Sequence, residues 1–201
     1  MDFLVDFIWP KFCVVCGGGG AFLCRKCKKL LPMALQICPM CTRPSIFGLT
    51  HEYCRKKNGM DGLMAIFDYK NNAVRKLIET VKFGFNRELV AIVLSGWKKP
   101  RNWNKRVVLV PVPLHRYRRN WRGFNQAEVI ARVVGGKKTQ VMEALLRVRA
   151  TAQQANIRKR KERSENVKGS FRIREEMGSR LRNKRVILVD DIFTSGAKMR
   201  E

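Results

Sequence analysis

The feature that most constrains this chain is a series of metal-ligand pairs near its start. Each pair has two residues between its donors, and the four pairs are Cys13 with Cys16, Cys24 with Cys27, Cys38 with Cys41, and His51 with Cys54. This spacing lets both donors of a pair reach one metal ion, with sulfur-to-zinc distances of about 2.3 Å, and two pairs complete a tetrahedral shell. The eight donors therefore predict two structural zinc ions, with no coordination position left for a substrate.

The sequence leaves open how the pairs combine. Consecutive pairing, which has the shortest loops, puts the first four cysteines on one ion and the remaining four donors on the other, and a cross-braced pairing is the alternative. His51 is the least secure ligand, because a lone histidine is more often a surface residue. All seven cysteines lie before residue 55 in this paired pattern, which indicates a reducing compartment and predicts a cytoplasmic protein.

The charge balance points to anionic partners. The chain has 42 Lys and Arg against 16 Asp and Glu, a net charge of +26. Such a field attracts nucleic acid, nucleotides or an anionic membrane surface, and a solvated basic surface is the alternative interpretation. No run of 18 apolar residues occurs, so we expect no transmembrane segment. Peripheral contact with the inner face of the membrane, through the short apolar segment 1–9, is a weaker second interpretation.

The pattern changes near residue 58, so we expect a helix and zinc-binding module over 1–58 and an α/β domain over 59–201. The continuous apolar run at 107–111 is typical of a buried parallel strand, and we expect 185–189, which is apolar from Val186 onwards, to be a second one. Shorter strands are expected at 171–173 and within the run 63–69. Helical spacing covers 73–94, with a break at Gly84, and 125–134. Strands that alternate with helices predict a largely parallel sheet flanked by helices.

The strongest ligand-binding signal follows the second apolar run. Asp190 and Asp191 would lie at the carboxyl edge of the sheet, where open α/β folds bind ligands. The turn after them, 194–198, offers hydroxyls from Thr194 and Ser195 and backbone N–H groups from Ser195, Gly196 and Ala197 to a phosphate. The carboxylates suit ribose hydroxyls, contacted directly or through hydrated Mg²⁺. An ordinary strand, turn and helix start is the alternative.

This segment resembles the phosphoribosyl pyrophosphate (PRPP) binding signature of type I phosphoribosyltransferases, an acidic pair followed by a hydroxyl-rich loop with glycine. The resemblance implies that Asp190 and Asp191 contact ribose hydroxyls and that 194–197 hold the 5-phosphate. Lys198 departs from the pattern, which has a hydroxyl residue there, although a lysine can still neutralise a phosphate.

Further segments are similar to the ComF family. Residues 110–116 and 122–127 match its signature, 151–154 with Glu162, Arg163 and Asn166 resemble its basic loop, and the multi-CxxC start completes the match. The resemblance implies a type I phosphoribosyltransferase-like domain after a double zinc ribbon. Such domains continue with a longer helix and at least one further strand, so we expect the C-terminal strand and helix to be missing from a chain that ends at Glu201.

The resemblance leaves two functions open. An enzyme would transfer the phosphoribosyl group from PRPP, with Mg²⁺ on the departing pyrophosphate, although no residue stands out as a general base. The ComF family is linked to uptake of single-stranded DNA in natural competence, which implies single-stranded DNA and competence proteins as partners; aromatics such as Tyr117 and Trp121 would stack on bases. Candidate contacts to pyrophosphate or nucleic acid are Lys82, Arg116, Arg118, Arg119 and Arg163.

Overall fold

The computed structural model describes residues 10–55, 60–84, 86–100, 103, 106–149, 165, 167–194 and 196–200. The chain forms two compact units. The first consists of Met1–Leu35 and Ala65–Ser95, and the second of Gln36–Met64 and Gly96–Glu201. Each zinc-ligand cluster predicted from consecutive pairing falls in a different unit.

The elements of the described residues alternate between helices and strands in the second half of the chain. The helices are α1 (Arg25–Lys29), α2 (Glu52–Arg55), α3 (Asn72–Phe83), α4 (Glu88–Leu94), α5 (Arg116–Arg122), α6 (Gln126–Gly135), α7 (Glu175–Leu181) and α8 (Ala197–Arg200). The strands are β1 (Val107–Pro111), β2 (Gln140–Val141), β3 (Leu145–Arg147), β4 (Phe171–Ile173) and β5 (Arg185–Val189).

In the first unit, two helices follow the predicted pattern. Helix α3 begins after Asn71, whose side-chain oxygen accepts hydrogen bonds from the first free backbone N–H groups. It buries one apolar face and ends before Gly84, where a Cβ would stand 2.7 Å from the carbonyl oxygen of Thr80. The helix break predicted at Gly84 is therefore confirmed.

The strand predicted within 63–69 is wrong. Phe67 forms only an isolated antiparallel bridge with Met33, supported by backbone hydrogen bonds between Ala34 and Ile66 and between Asp68 and Pro32. The apolar run therefore pairs with a short irregular stretch that follows α1. A ladder needs a longer partner than that stretch provides.

In the second unit, a three-stranded parallel sheet has the order β2-β1-β5. The register of β1 on β5 runs from Val107 opposite Arg185 to Pro111 opposite Val189. All five residues of β1 are buried, which confirms the apolar run as a central strand. Helix α6 packs on this sheet so closely that a Cβ at Gly135 would lie 3.0 Å from Leu109. The predicted α/β fold with a parallel sheet and flanking helices is confirmed.

A second, smaller sheet extends the core. Strands β3 and β4 pair in antiparallel fashion, with Leu145 opposite Ile173, so the predicted strand 171–173 is confirmed. Met142 and Ala144, which lead into β3, are buried against Val108 and Val110 of β1. Among the described residues, no helix has the length and apolar character needed to span a membrane.

Candidate functional site

The structure gathers the eight predicted zinc donors into two clusters. In the first, the sulfurs of Cys13, Cys16, Cys24 and Cys27 all lie within 4.8 Å of one another. In the second, Cys38, Cys41 and Cys54 do the same with a ring nitrogen of His51. The grouping is that of consecutive pairing. Separations of this size suit four donors around one small ion, so both clusters fit a structural zinc site.

His51 is oriented as a metal ligand. Its Nδ1 lies 3.3 Å from the sulfur of Cys41, and its Nε2 lies 3.2 Å from the carbonyl oxygen of Pro44. With its proton on Nε2, the ring donates to that carbonyl and keeps a lone pair on Nδ1, which is the usual arrangement of a ligating histidine. The Tyr53 hydroxyl lies 3.1 Å from the same Nδ1. The ring of Tyr53 stacks on His51 at a centroid distance of 5.2 Å, which further fixes the imidazole.

The thiols of each cluster differ in acidity. Burial opposes ionisation of Cys13, but backbone hydrogen bonds outweigh it and lower its pKa to about 6. The thiol of Cys24, followed by burial, raises the pKa of Cys27 to about 12. In the second cluster, a backbone hydrogen bond from Arg43 lowers the pKa of Cys41 to about 7, and burial raises the pKa of Cys54 to about 11. Several thiolates at such short separations repel one another unless a cation neutralises their charge, and a divalent metal ion supplies that cation.

The acidic pair lies where the sequence predicts it, directly after β5. The backbone N–H of Val112 donates to the carbonyl of Val189 over 2.9 Å, so the segments after β1 and β5 leave the sheet side by side. Adjacent parallel strands that end at one edge create the crevice in which α/β proteins bind ligands. In the loop that follows, Gly196 has a φ of 70° and is buried, a conformation that favours glycine.

Asp190 is fully engaged by the protein. Its Oδ1 accepts the backbone N–H of Asp191 at 3.0 Å, and its Oδ2 lies 2.5 Å from Nζ of Lys198. Burial raises the pKa of Asp190, and Lys198 opposes that shift. Burial also lowers the pKa of Lys198, but Asp190 and Asp191 outweigh it and raise the pKa above its ordinary value. The lysine keeps its proton, and the two side chains form a buried ion pair.

Asp191 is tied to the start of α6. Nε2 of Gln126 donates to Oδ2 of Asp191 over 2.9 Å, and a guanidinium nitrogen of Arg122 donates to Oε1 of Gln126 over 2.6 Å. The neighbouring Asn125 acts on the backbone instead, because its Oδ1 caps α6 and its Nδ2 donates to the carbonyl of Val112. The asparagine and glutamine of the 122–127 motif thus hold the crevice together.

Further cations surround the acidic pair. Arg122 is 7% exposed, and burial lowers its pKa, with Asp191 acting in the opposite direction and Arg118 adding to the fall. Burial and Arg118 likewise lower the pKa of Arg147, which Asp190 opposes. Arg147 also lies over the ring of Phe171, 5.4 Å from its centroid. Positive charge exceeds negative charge around the crevice, as a site for an anion requires.

The remaining predicted residues divide by location. Arg116 and Arg119 lie on α5, where Arg119 forms an exposed ion pair of 3.5 Å with Glu143. Lys82 lies on α3 in the other unit. Thr194 is exposed at the loop, and Ala197 begins α8. Ser195 and Arg163, together with 151–154, Glu162 and Asn166, lie outside the described residues.

Three residues near the acidic pair were not singled out from the sequence as ligand contacts. Arg122 and Gln126 belong to the 122–127 motif, so the resemblance provided a signal but no role. Arg147 had no signal, because it belongs to none of the motifs recognised in the sequence. It lies at the end of β3, opposite Phe171 of β4, and the charge of Asp190 acts on its pKa.

The fold and the site define a zinc-ribbon protein with an α/β domain. Two clusters of zinc donors come first in the chain, and in the α/β domain the acidic pair after β5 lies among several cationic side chains. A family model described as a double zinc ribbon domain matches residues 4–56. The chain is 26% identical over 191 residues to the Competence protein ComFC of Bacillus subtilis, covering 88% of this chain and 74% of that protein. It is 27% identical over 197 residues to the DNA utilization protein YhgH of Escherichia coli, and the match covers 89% of this chain and 81% of that protein.

A third relative, Competence protein F of Haemophilus influenzae, is 24% identical over 189 residues, which cover 89% of this chain and 81% of that protein. The chain is thus homologous to ComF and YhgH proteins over most of its length, and its N-terminal part matches the double zinc ribbon domain. No solved structure matches it significantly.

Proposed function

We propose that the crevice after β1 and β5 binds PRPP or a related ribose 5-phosphate ligand. The observation that carries the proposal is the network Arg122–Gln126–Asp191, which fixes a carboxylate beside a loop with a buried glycine of positive φ. A carboxylate suits ribose hydroxyls, and a glycine-containing loop admits a phosphate close to the backbone. Cations on Arg118, Arg122 and Arg147 favour a polyanionic ligand.

Isothermal titration calorimetry with PRPP and with ribose 5-phosphate tests this proposal. The wild-type chain should bind both. Gly196→Val should bind neither, because a β-branched residue is strained at a φ of 70° and obstructs the phosphate. Gly178→Val is the matched control, since Gly178 is exposed and a Cβ there meets nothing within 4 Å. Equal binding by wild type and Gly196→Val would refute the placement of the site.

Transfer of the phosphoribosyl group is the finer form of this proposal. The cations would stabilise the departing pyrophosphate, as electrostatic catalysis requires. Mg²⁺ was expected to accompany PRPP, but both oxygens of Asp190 already accept hydrogen bonds from the protein. A metal ion at that carboxylate would lie beside the Lys198 ammonium, so the carboxylate does not fit a direct metal contact. Consumption of PRPP with a panel of nucleobases would test for catalysis.

A second candidate function is binding of single-stranded DNA on α5. Tyr117 is 76% exposed and Trp121 is 53% exposed, and their spacing places them on one face of the helix. Arg116 and Arg119 lie on the same helix. Exposed aromatics interleaved with arginines suit base stacking and backbone neutralisation.

The names of the relatives support a role linked to DNA. We propose that the chain takes part in natural competence or DNA utilisation in the cytoplasm, with single-stranded DNA and competence proteins as partners. A filter-binding titration of labelled single-stranded DNA against salt separates this function from ligand binding. Binding should fall with a slope of about −0.7 per neutralised phosphate on a logarithmic plot.

A further inference from the structure

The ion pair between Lys198 and Asp190 bears on which ligand the crevice accepts. Its two charged atoms are 2.5 Å apart, with 22% of the lysine side chain and 6% of the aspartate side chain exposed. The other oxygen of Asp190 accepts the backbone N–H of Asp191. A divalent cation that approached this carboxylate would meet the ammonium that already lies on it.

The surroundings also disfavour a second cation. The charge of Arg147 is near enough to act on the pKa of Lys198, and the charge of Asp190 acts on the pKa of Arg147. Gln126 donates a hydrogen bond to the other carboxylate, Asp191, and accepts one from the guanidinium of Arg122. A dication placed among these groups would meet like charges at short range in a partly desolvated site, where such repulsion is strong.

Resting on the proposed function, we propose that Lys198 is a built-in counter-ion that takes the place of a divalent metal at Asp190, so that the crevice binds a ribose 5-phosphate without Mg²⁺. The ammonium neutralises Asp190, so a phosphate that approaches the loop does not meet an uncompensated charge on this carboxylate. Lys198 thereby determines ligand specificity, because the crevice accepts a sugar phosphate that is not complexed with a metal ion.

A titration of ribose 5-phosphate in zinc-replete buffer, with and without added MgCl₂, tests the proposal. Chelators are excluded because they would strip the zinc clusters. Wild type should show the same affinity in both buffers. Lys198→Thr exposes the Asp190 charge, so its affinity should fall about tenfold without Mg²⁺ and recover when Mg²⁺ is added. Lys198→Arg keeps the charge and should stay indifferent to Mg²⁺.

Lys184→Thr is the matched control, because Lys184 is exposed between α7 and β5, and it should behave like wild type. Wild-type affinity that rises about tenfold with Mg²⁺ would overturn the inference while leaving the proposed function intact. Failure of wild type to bind ribose 5-phosphate or PRPP in either buffer would instead refute the proposed function.

The affinity of Asp190 for a divalent cation can also be measured directly, without a sugar phosphate. Mn²⁺, a paramagnetic substitute for Mg²⁺, is titrated into each variant and followed by electron paramagnetic resonance. Lys198→Thr should gain one Mn²⁺ site that wild type lacks, and the double variant Asp190→Asn/Lys198→Thr should lose it again. Two results would contradict the counter-ion role of Lys198. One is Mn²⁺ binding by wild type at a site that Asp190→Asn abolishes, and the other is a Lys198→Thr variant that gains no Mn²⁺ site.

Discussion

Gln126 donates a hydrogen bond of 2.9 Å to Asp191, which joins the first residue of α6 to the loop after β5 across 65 positions of sequence. Because Arg122 in turn donates to Gln126 over 2.6 Å, the end of α5, the start of α6 and the acidic pair form one buried network. The network therefore links the acidic pair to the positions of both helices.

Gln126→Ala should disrupt this network. Removal of a buried partner leaves Arg122 and Asp191 with fewer hydrogen bonds, so we expect the free energy of unfolding to fall by about 1–3 kcal/mol and the affinity for ribose 5-phosphate to fall as well. Chemical denaturation and calorimetry measure the two effects. Gln140→Ala is the control, because Gln140 is exposed in β2; equal effects of the two substitutions would contradict the network.

His51→Ala should remove one zinc ion. A ring nitrogen of His51 lies within 4.8 Å of the three sulfurs of the second cluster, so we expect it to act as a full ligand and the zinc content of the variant to fall from about two ions per chain to about one. Cys24→Ser should give a similar loss from the first cluster. Atomic absorption on reduced, zinc-replete protein measures both.

The sequence offers a control for this zinc measurement in His115, the second of two histidines. His115→Ala should keep the zinc content of the wild type. A full complement of zinc in His51→Ala would mean that the imidazole only packs on Tyr53, and the second site would then rest on three cysteines.

Tyr117→Ala with Trp121→Ala should weaken binding of single-stranded DNA. Stacking on an aromatic side chain contributes about 1–3 kcal/mol per base, so the double variant should lose at least about tenfold in affinity while the salt slope stays the same. Asn120→Ala, on the same helix and exposed, is the control. An unchanged affinity would show that DNA, if bound, lies elsewhere on the chain.

The elements that local pattern determines were predictable from the sequence. Residues 107–111 are apolar because β1 is the central strand and is buried along its length, and Asn71 and Gly84 mark the start and end of α3. The segment 185–189 does form a strand, but the expectation that it is buried is only partly met, because β5 lies at the edge of the sheet and its first two residues are exposed. The zinc donors were recognisable because their spacing is set by the reach of two side chains to one ion.

Contacts that depend on tertiary packing could not be predicted from the sequence. The run 63–69 looked like a strand, but its partner is a short stretch near Met33. Lys198 looked like a departure from a phosphate-binding pattern, and only its distance to Asp190 reveals a buried ion pair. Arg147 reaches the crevice through the pairing of β3 with β4, which no local pattern predicts.

The most direct test of the ribose 5-phosphate site compares two ligands on one variant, Asp190→Asn with Asp191→Asn. In the proposed site the acidic pair accepts hydrogen bonds from ribose hydroxyls, which a bare phosphate chain does not offer. PRPP binding measured by calorimetry should therefore be lost, while single-stranded DNA binding should be unchanged or tighter, because removal of two acids cannot weaken an electrostatic contact with phosphates. Glu175→Gln with Glu176→Gln, which removes two exposed acids from α7, should leave PRPP binding intact. Wild-type affinity for PRPP in the aspartate variant, with its fold verified by circular dichroism, would contradict the central claim that this crevice is the ribose 5-phosphate site.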